Sequence, residues 1–312
     1  MGTKDEASVK YFTAWSFDPF VIWAGILVFL HELGLSRLSR RSTAKTAAQR
    51  RRRSWFFYAG VAVLVLTVMS PLDYWAGYYF FVHMIEHILI MFIAPALVVL
   101  GAPWLPLLHA LPVGARRRLL RSVVLGAWAK PLRAAARLVV SAPFGVVGFN
   151  VVMVLWHLPV AFDLAETNQD VHIWLMHASF FVFGVLFWAQ ILPSHPLQPK
   201  LSYVGRAAAI MSANIVMFVL AMALSIFSTG SWYSVYDHVP GVTLSPFSDQ
   251  QIGAGILWVC GDFWALPALT WTIRRAASEA GSLGELVDRL VKRPAQPSAR
   301  VVGPALRKVP HA

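Results

Sequence analysis

The chain has 312 residues and a formal net charge of +12, yet only 13% of its residues are charged and 57% are hydrophobic. A mean hydropathy of +0.59 excludes an ordinary water-soluble domain and points to an all-α polytopic membrane protein, with no room between its spans for a large aqueous domain. The single cysteine, Cys260, excludes an internal disulfide, a CxxC metal clamp and a cysteine-pair relay, so any ligation falls to His, Met and carboxylate.

In chain order, residues 1–17 carry Lys4, Asp5, Glu6 and Lys10 and lack the apolar core of a signal peptide. They read as a short extracytoplasmic N-terminus, with the first span as its own insertion signal. A window of about 19 residues then finds apolar segments near the roughly 20 residues needed to cross a bilayer. They cover 18–37, 54–71, 78–101, 143–162, 172–193, 206–228 and 250–273, which makes seven transmembrane helices within a membrane domain of 18–275. Segment 115–138 alternates basic and apolar residues at near-helical spacing and reads as a helix lying along the inner headgroups. The remainder, 276–312, reads as a cytoplasmic tail, largely disordered from Arg293 onward.

Lys and Arg set the orientation. Of the 27 basic residues, only Lys4 and Lys10 fall on the N-terminal side of the bilayer, whereas loops 72–77, 163–171 and 229–249 contain none. Positive charge is retained inside, so the N-terminus is outside and the C-terminus cytoplasmic. The charge follows alternate loops rather than a folded basic domain, which favours contact with anionic lipid over nucleic acid. Trp75, Tyr78, Tyr79, Trp174, Trp232 and Tyr233 then form an outer aromatic belt.

With orientation fixed, five histidines gather at the outer half of the membrane. His83 and His87 lie one turn apart on one face of span three, His157 ends span four, and His172 and His177 begin span five. Imidazole is costly in lipid and common on metals, so the group reads as a metal site, with interhelical hydrogen bonding as the plainer alternative for any one member. Glu86 reads as a ligand, an acceptor that orients an imidazole, or a partner for another span, and Asp262 in span seven carries the same three readings. Met91 follows His87 by four residues and Met153 precedes His157 by four, so either thioether suits Cu(I), although packing is the commoner use of such methionines. Asp73, Asp163, Asp170 and Asp249 sit at outer helix ends, as solvated caps or as attractors of a cation. His31, His109 and His195 fall toward the other face, His238 lies in an outer loop and His311 in the tail.

The stretch His83-Met84-Ile85-Glu86-His87, followed by Ala94-Pro95-Ala96-Leu97 and Leu100-Gly101-Ala102-Pro103, resembles the signature of the CtaG family of cytochrome c oxidase assembly proteins. Trp156-His157-Leu158-Pro159, the His172 and His177 segment, Phe187-Trp188 and Asp249-Gln250-Gln251-Ile252-Gly253-Ala254-Gly255 with Trp258 resemble its later blocks in order and spacing, over about residues 18–275. Met176 and Glu86 depart from the family pattern, which more often has an acidic or polar residue before the second histidine and a Gln in place of Glu86.

The resemblance implies a multi-pass protein of a bacterial plasma membrane that helps mature a haem-copper oxidase. It would handle copper, as Cu(I), at the outer face and pass it to an oxidase subunit. Copper would bind among His83, His87, His157 and His177, with His172 at the entrance. Such transfer breaks no covalent bond, so no enzyme activity is expected. Two further classes stay open: a haem-binding membrane oxidoreductase with two of these histidines as axial ligands, and a copper or proton transporter. A retinal protein is excluded because span seven has no lysine. A homo-oligomer stays open.

Overall fold

The structure is a computed structural model that describes residues 13–291. Residues 1–12, with Lys4 and Lys10, and residues 292–312, with Arg293 and His311, lie outside the described residues. The described chain is helical with no β-strand. Its elements are α1 (Phe20–Ser39), α2 (Ala44–Met69), α3 (Pro71–Ala76), α4 (Phe80–Gly101), α5 (Trp104–Ala110), α6 (Val113–Leu120), α7 (Lys130–Val139), α8 (Ala142–Trp156), α9 (Pro159–Thr167), α10 (Val171–Ile191), α11 (Tyr203–Ser225), α12 (Pro246–Ala280) and α13 (Leu283–Val291).

Local chemistry sets the helix starts. Thr43, Ser70, Ser141, Ser202 and Ser245 each cap a helix by accepting a backbone N–H from its first turn, and Pro71 and Pro246 follow directly where no N–H is needed. Six helices, α1, α2, α4, α10, α11 and α12, are long and apolar enough to cross a membrane. A seventh span results if α8 is taken together with the preceding Ala127–Val139, from which it bends by 64°.

The central element is α4. Of its most apolar window 67% is buried, against 28–39% for the other long helices, and it packs against α2, α10 and α12 at once. A helix apolar on every side belongs at the centre of such a bundle. Close approach around it needs small residues: a Cβ at Gly184 on α10 would fall 2.4 Å from the Met91 carbonyl of α4.

Gly34 on α1 is tighter still, since a Cβ there would sit 1.7 Å from the Pro106 carbonyl oxygen of α5. Gly34→Val will therefore force α1 and α5 apart, at about 1–3 kcal/mol. The check is a lower thermal unfolding midpoint in detergent than that of the neighbouring Gly25→Val, whose Cβ meets nothing within 4 Å.

Three differences from the sequence expectations have local causes. Span four does not run through to 162; α8 stops at Trp156, because Pro159 cannot continue it, and the chain turns into the separate helix α9. The basic segment 115–138 is two helical pieces with a bend, held by Arg133, whose Nη1 donates to the Val123 and Gly126 carbonyls. Span seven continues past 273 to Ala280 and, after a bend at 281–282, is followed by α13, so most of the segment ahead of Arg293 is helical.

Candidate metal centre

Three elements bring the five histidines together. α4 supplies His83 and His87, whose Nε2 atoms face each other at 2.6 Å. α8 ends at His157, whose ring centroid is 5.5 Å from that of His87. α10 supplies His172 and His177, 4.2 Å apart by ring centroid, with His172 5.4 Å from His83 and His177 6.3 Å from His87.

The last pair owes its meeting to backbone geometry. On an α-helix, residues five apart point about 140° away from each other. Val171–His177 is wound as a π-helix, with about 4.4 residues per turn, which swings His172 and His177 onto one side. A second π-turn, Leu89–Ile93, begins two residues after His87 on α4.

Carboxylates complete the group. His83, Glu86, His172 and His177 each offer one ligand atom, and these atoms all lie within 4.8 Å of one another. Glu86 Oε1 is 3.8 Å from His177 Nε2. Glu166, on α9, places Oε1 2.8 Å from His172 Nδ1 and 3.5 Å from His83 Nδ1. Burial alone would raise the Glu166 carboxyl, but His83 and His172 beside it hold it well below the usual carboxylate range.

The site is almost fully buried. His83 and Glu86 are 0% exposed, and His87, His157 and His177 are 2–3% exposed, while the His172 side chain keeps 17%. Buried polar atoms normally find hydrogen-bond partners. Here both Glu86 oxygens, His87 Nδ1, His157 Nε2, His172 Nε2 and both His177 nitrogens find none among the described residues. Such a concentration in one spot has the form of a ligand set.

Three of the imidazoles are held by one nitrogen so that the other is presented. His157 donates Nδ1–H to the Met153 carbonyl at 2.6 Å. Tyr236 donates its hydroxyl proton to the Ala76 carbonyl, so at 3.3 Å its oxygen accepts from His83 Nδ1, on the side where Glu166 also lies. Glu166 faces His172 at Nδ1 in the same way. With Nδ1 engaged in each case, Nε2 is the nitrogen left to meet a metal when the ring is neutral, the arrangement by which carboxylates and carbonyls orient metal-binding histidines.

The loop between α11 and α12 closes over this group. Tyr233 donates its hydroxyl to the His157 carbonyl and stacks on Phe80 at 4.7 Å between ring centroids. Ser234 donates from both N–H and Oγ to Asp163, and Trp232 N–H donates to Gln250. Tyr233 is therefore buried under the loop, 1% exposed, and does not belong to an outer aromatic belt.

The remaining expected residues separate into those near the cluster and those apart from it. Asp73, on α3, accepts from Ser16 Oγ at 2.9 Å; burial raises its carboxyl, and its field reaches His172 and His83. Met153 meets the site through its carbonyl, and the Met91 and Met153 side chains are buried in the apolar core. Asp163 and Asp249 are structural acceptors, Asp249 taking the Phe80 and Phe81 N–H groups at the start of α4. Asp262 does not join the group: it is exposed on α12 and accepts from Asn214 Nδ2 at 3.3 Å.

Glu166 and Tyr236 were missed from sequence. Glu166 had a signal, since it follows the buried Phe162 and Ala165 at helical spacing on the inward stripe of α9. Tyr236 had none beyond its place in a loop without basic residues.

Fold and site together define a multi-pass helical membrane protein with a buried imidazole and carboxylate cluster at one end of its bundle. The family model for the cytochrome c oxidase caa3 assembly factor matches residues 29–279, and the chain belongs to that family. Uncharacterized proteins of Mycobacterium bovis and Mycobacterium tuberculosis are each 28% identical to it over 261 residues, 80% of this chain and 37% of theirs. The chain thus spans under two-fifths of the length of the curated relatives it matches. No solved structure matches it.

Proposed function

We propose that the protein serves the assembly of a haem-copper oxidase by holding copper at the outer face of the plasma membrane and passing it to an oxidase subunit. Family membership supports the assembly role. The observation that supports copper is the buried set of unpaired donors on His87, His157, His172, His177 and Glu86, beside the His83–His87 pair. Copper is the cargo here, not a resident cofactor.

Imidazole suits copper, and transfer as Cu(I) between weakly held sites needs no redox cysteine. His172, the most exposed member, and Glu166 beside it stand at the entrance, and His83, His87, His157 and His177 form the interior. The end of the bundle that holds them carries the loops without Lys or Arg, which supports an outer position by the charge rule. A haem held by His83 and His87 finds no support, because their facing nitrogens at 2.6 Å leave no space for a macrocycle between them.

Deleting the chain from its host tests the proposal. Oxidase subunits and haem should persist while oxidase copper falls severalfold, and added copper salt should restore part of it. An oxidase with its full copper content in the deletion strain would overturn the reading.

A further inference from the structure

A second polar concentration lies at the opposite end of the bundle. Arg37 lies about 26 Å along α1 from Phe20, the end that adjoins the histidine cluster. A cavity of about 240 Å³ opens there between the end of α1 and the turn from α5 to α6. Arg37, Arg40, Arg41 and Arg116 line it together with the apolar side chains of Leu111 and Val113, and its lining holds no carboxylate.

Retention of positive charge inside accounts for arginines in this loop, but not for their convergence on one cavity without counterions. Arg37 is fixed: its Nη1 donates to the Ala110 carbonyl and, at 3.3 Å, to the His109 carbonyl. That leaves further N–H donors of its guanidinium for another acceptor. Among the described residues no carboxylate lies within 4 Å of any of the four. His109 is occupied within its own helix, with Nδ1–H donating to the Leu105 carbonyl at 2.8 Å. Four like charges repel one another unless an anion sits among them, and the guanidinium fork matches phosphate oxygens.

We propose that this cavity binds a phosphate group, that of an anionic phospholipid headgroup. The apolar Leu111 and Val113, 37% and 38% exposed, border the arginines where the first carbons of an acyl glycerol would lie. Basic pockets between helices on the cytoplasmic side suit such headgroups. The site is independent of the metal cluster, and its failure would leave the copper reading untouched.

The test is native mass spectrometry of the full chain in detergent, titrated with phosphatidylglycerol or phosphatidylcholine. Two variants are compared with wild type: Arg40→Gln, Arg41→Gln, Arg116→Gln, within the cavity, and Arg117→Gln, Arg118→Gln, Arg121→Gln, which removes the same charge outside it. The expected result is a preference for phosphatidylglycerol, roughly 100-fold weaker in the cavity variant and kept in the other. Inorganic phosphate that displaces nothing supports the lipid as source; inorganic phosphate that binds in wild type alone and displaces the lipid identifies free phosphate as the source of the same chemistry. Equal loss in both variants, or no preference for the anionic lipid in wild type, overturns the site.

Discussion

Copper loading of purified protein will fall from about one ion per chain to background in the His83→Ala, His87→Ala double variant. Both imidazoles sit at the centre of the group: His83 reaches Glu166, Tyr236 and His172, and His87 reaches His157 and His177. Loss of an orienting neighbour alone typically lowers metal affinity 10–100-fold, so removal of two central donors should exceed that range. The folded state must be checked separately, because two buried cavities also destabilise. Each single variant, His83→Gln and His87→Gln, keeps most of the volume and should lose affinity without unfolding. Retention of full copper in the double variant would remove His83 and His87 from the ligand set.

Glu86 should show the opposite balance of stability and binding. Its carboxyl is fully buried, and neither oxygen finds a hydrogen-bond partner among the described residues. Leaving such a group unpaired costs about 1–3 kcal/mol, more if it is charged. Glu86→Leu should therefore raise the unfolding midpoint of the metal-free protein while weakening metal binding at least tenfold. A residue kept at a cost in stability is the signature of a functional position. If Glu86→Leu instead lowers stability, Glu86 is a structural partner of His177, and the ligand role is lost. Adding copper to wild type should narrow the difference, since a ligand that binds only the folded state stabilises it.

Much of this architecture was legible in the sequence because lipid imposes a simple rule. Every span must be apolar for about 20 residues, and those runs stand out. The α4 pair was legible too, since i and i+4 share a helix face in any context. What escaped depended on departures from ideal helices. The π-turn that joins His172 to His177 leaves no mark in composition, and α8 ends sooner than hydropathy implies because the apolar run continues through the turn into α9. Asp262 was misjudged because depth along a span does not give direction around it; it faces away from the core, toward Asn214. Tyr233 was misjudged for the converse reason, since an aromatic loop residue near an interface is as readily buried under its own loop as set in the headgroups.

On the proposal above, copper sits among imidazole nitrogens at the buried end of α4, α8 and α10. X-ray absorption at the copper edge on protein loaded with Cu(I) under reducing conditions tests it most directly. The expected result is a shell of nitrogen or oxygen at about 2.0 Å, with the outer-shell scattering of imidazole rings, lost in the His83→Ala, His87→Ala variant. A shell of sulfur alone, or protein that retains no copper, would contradict it.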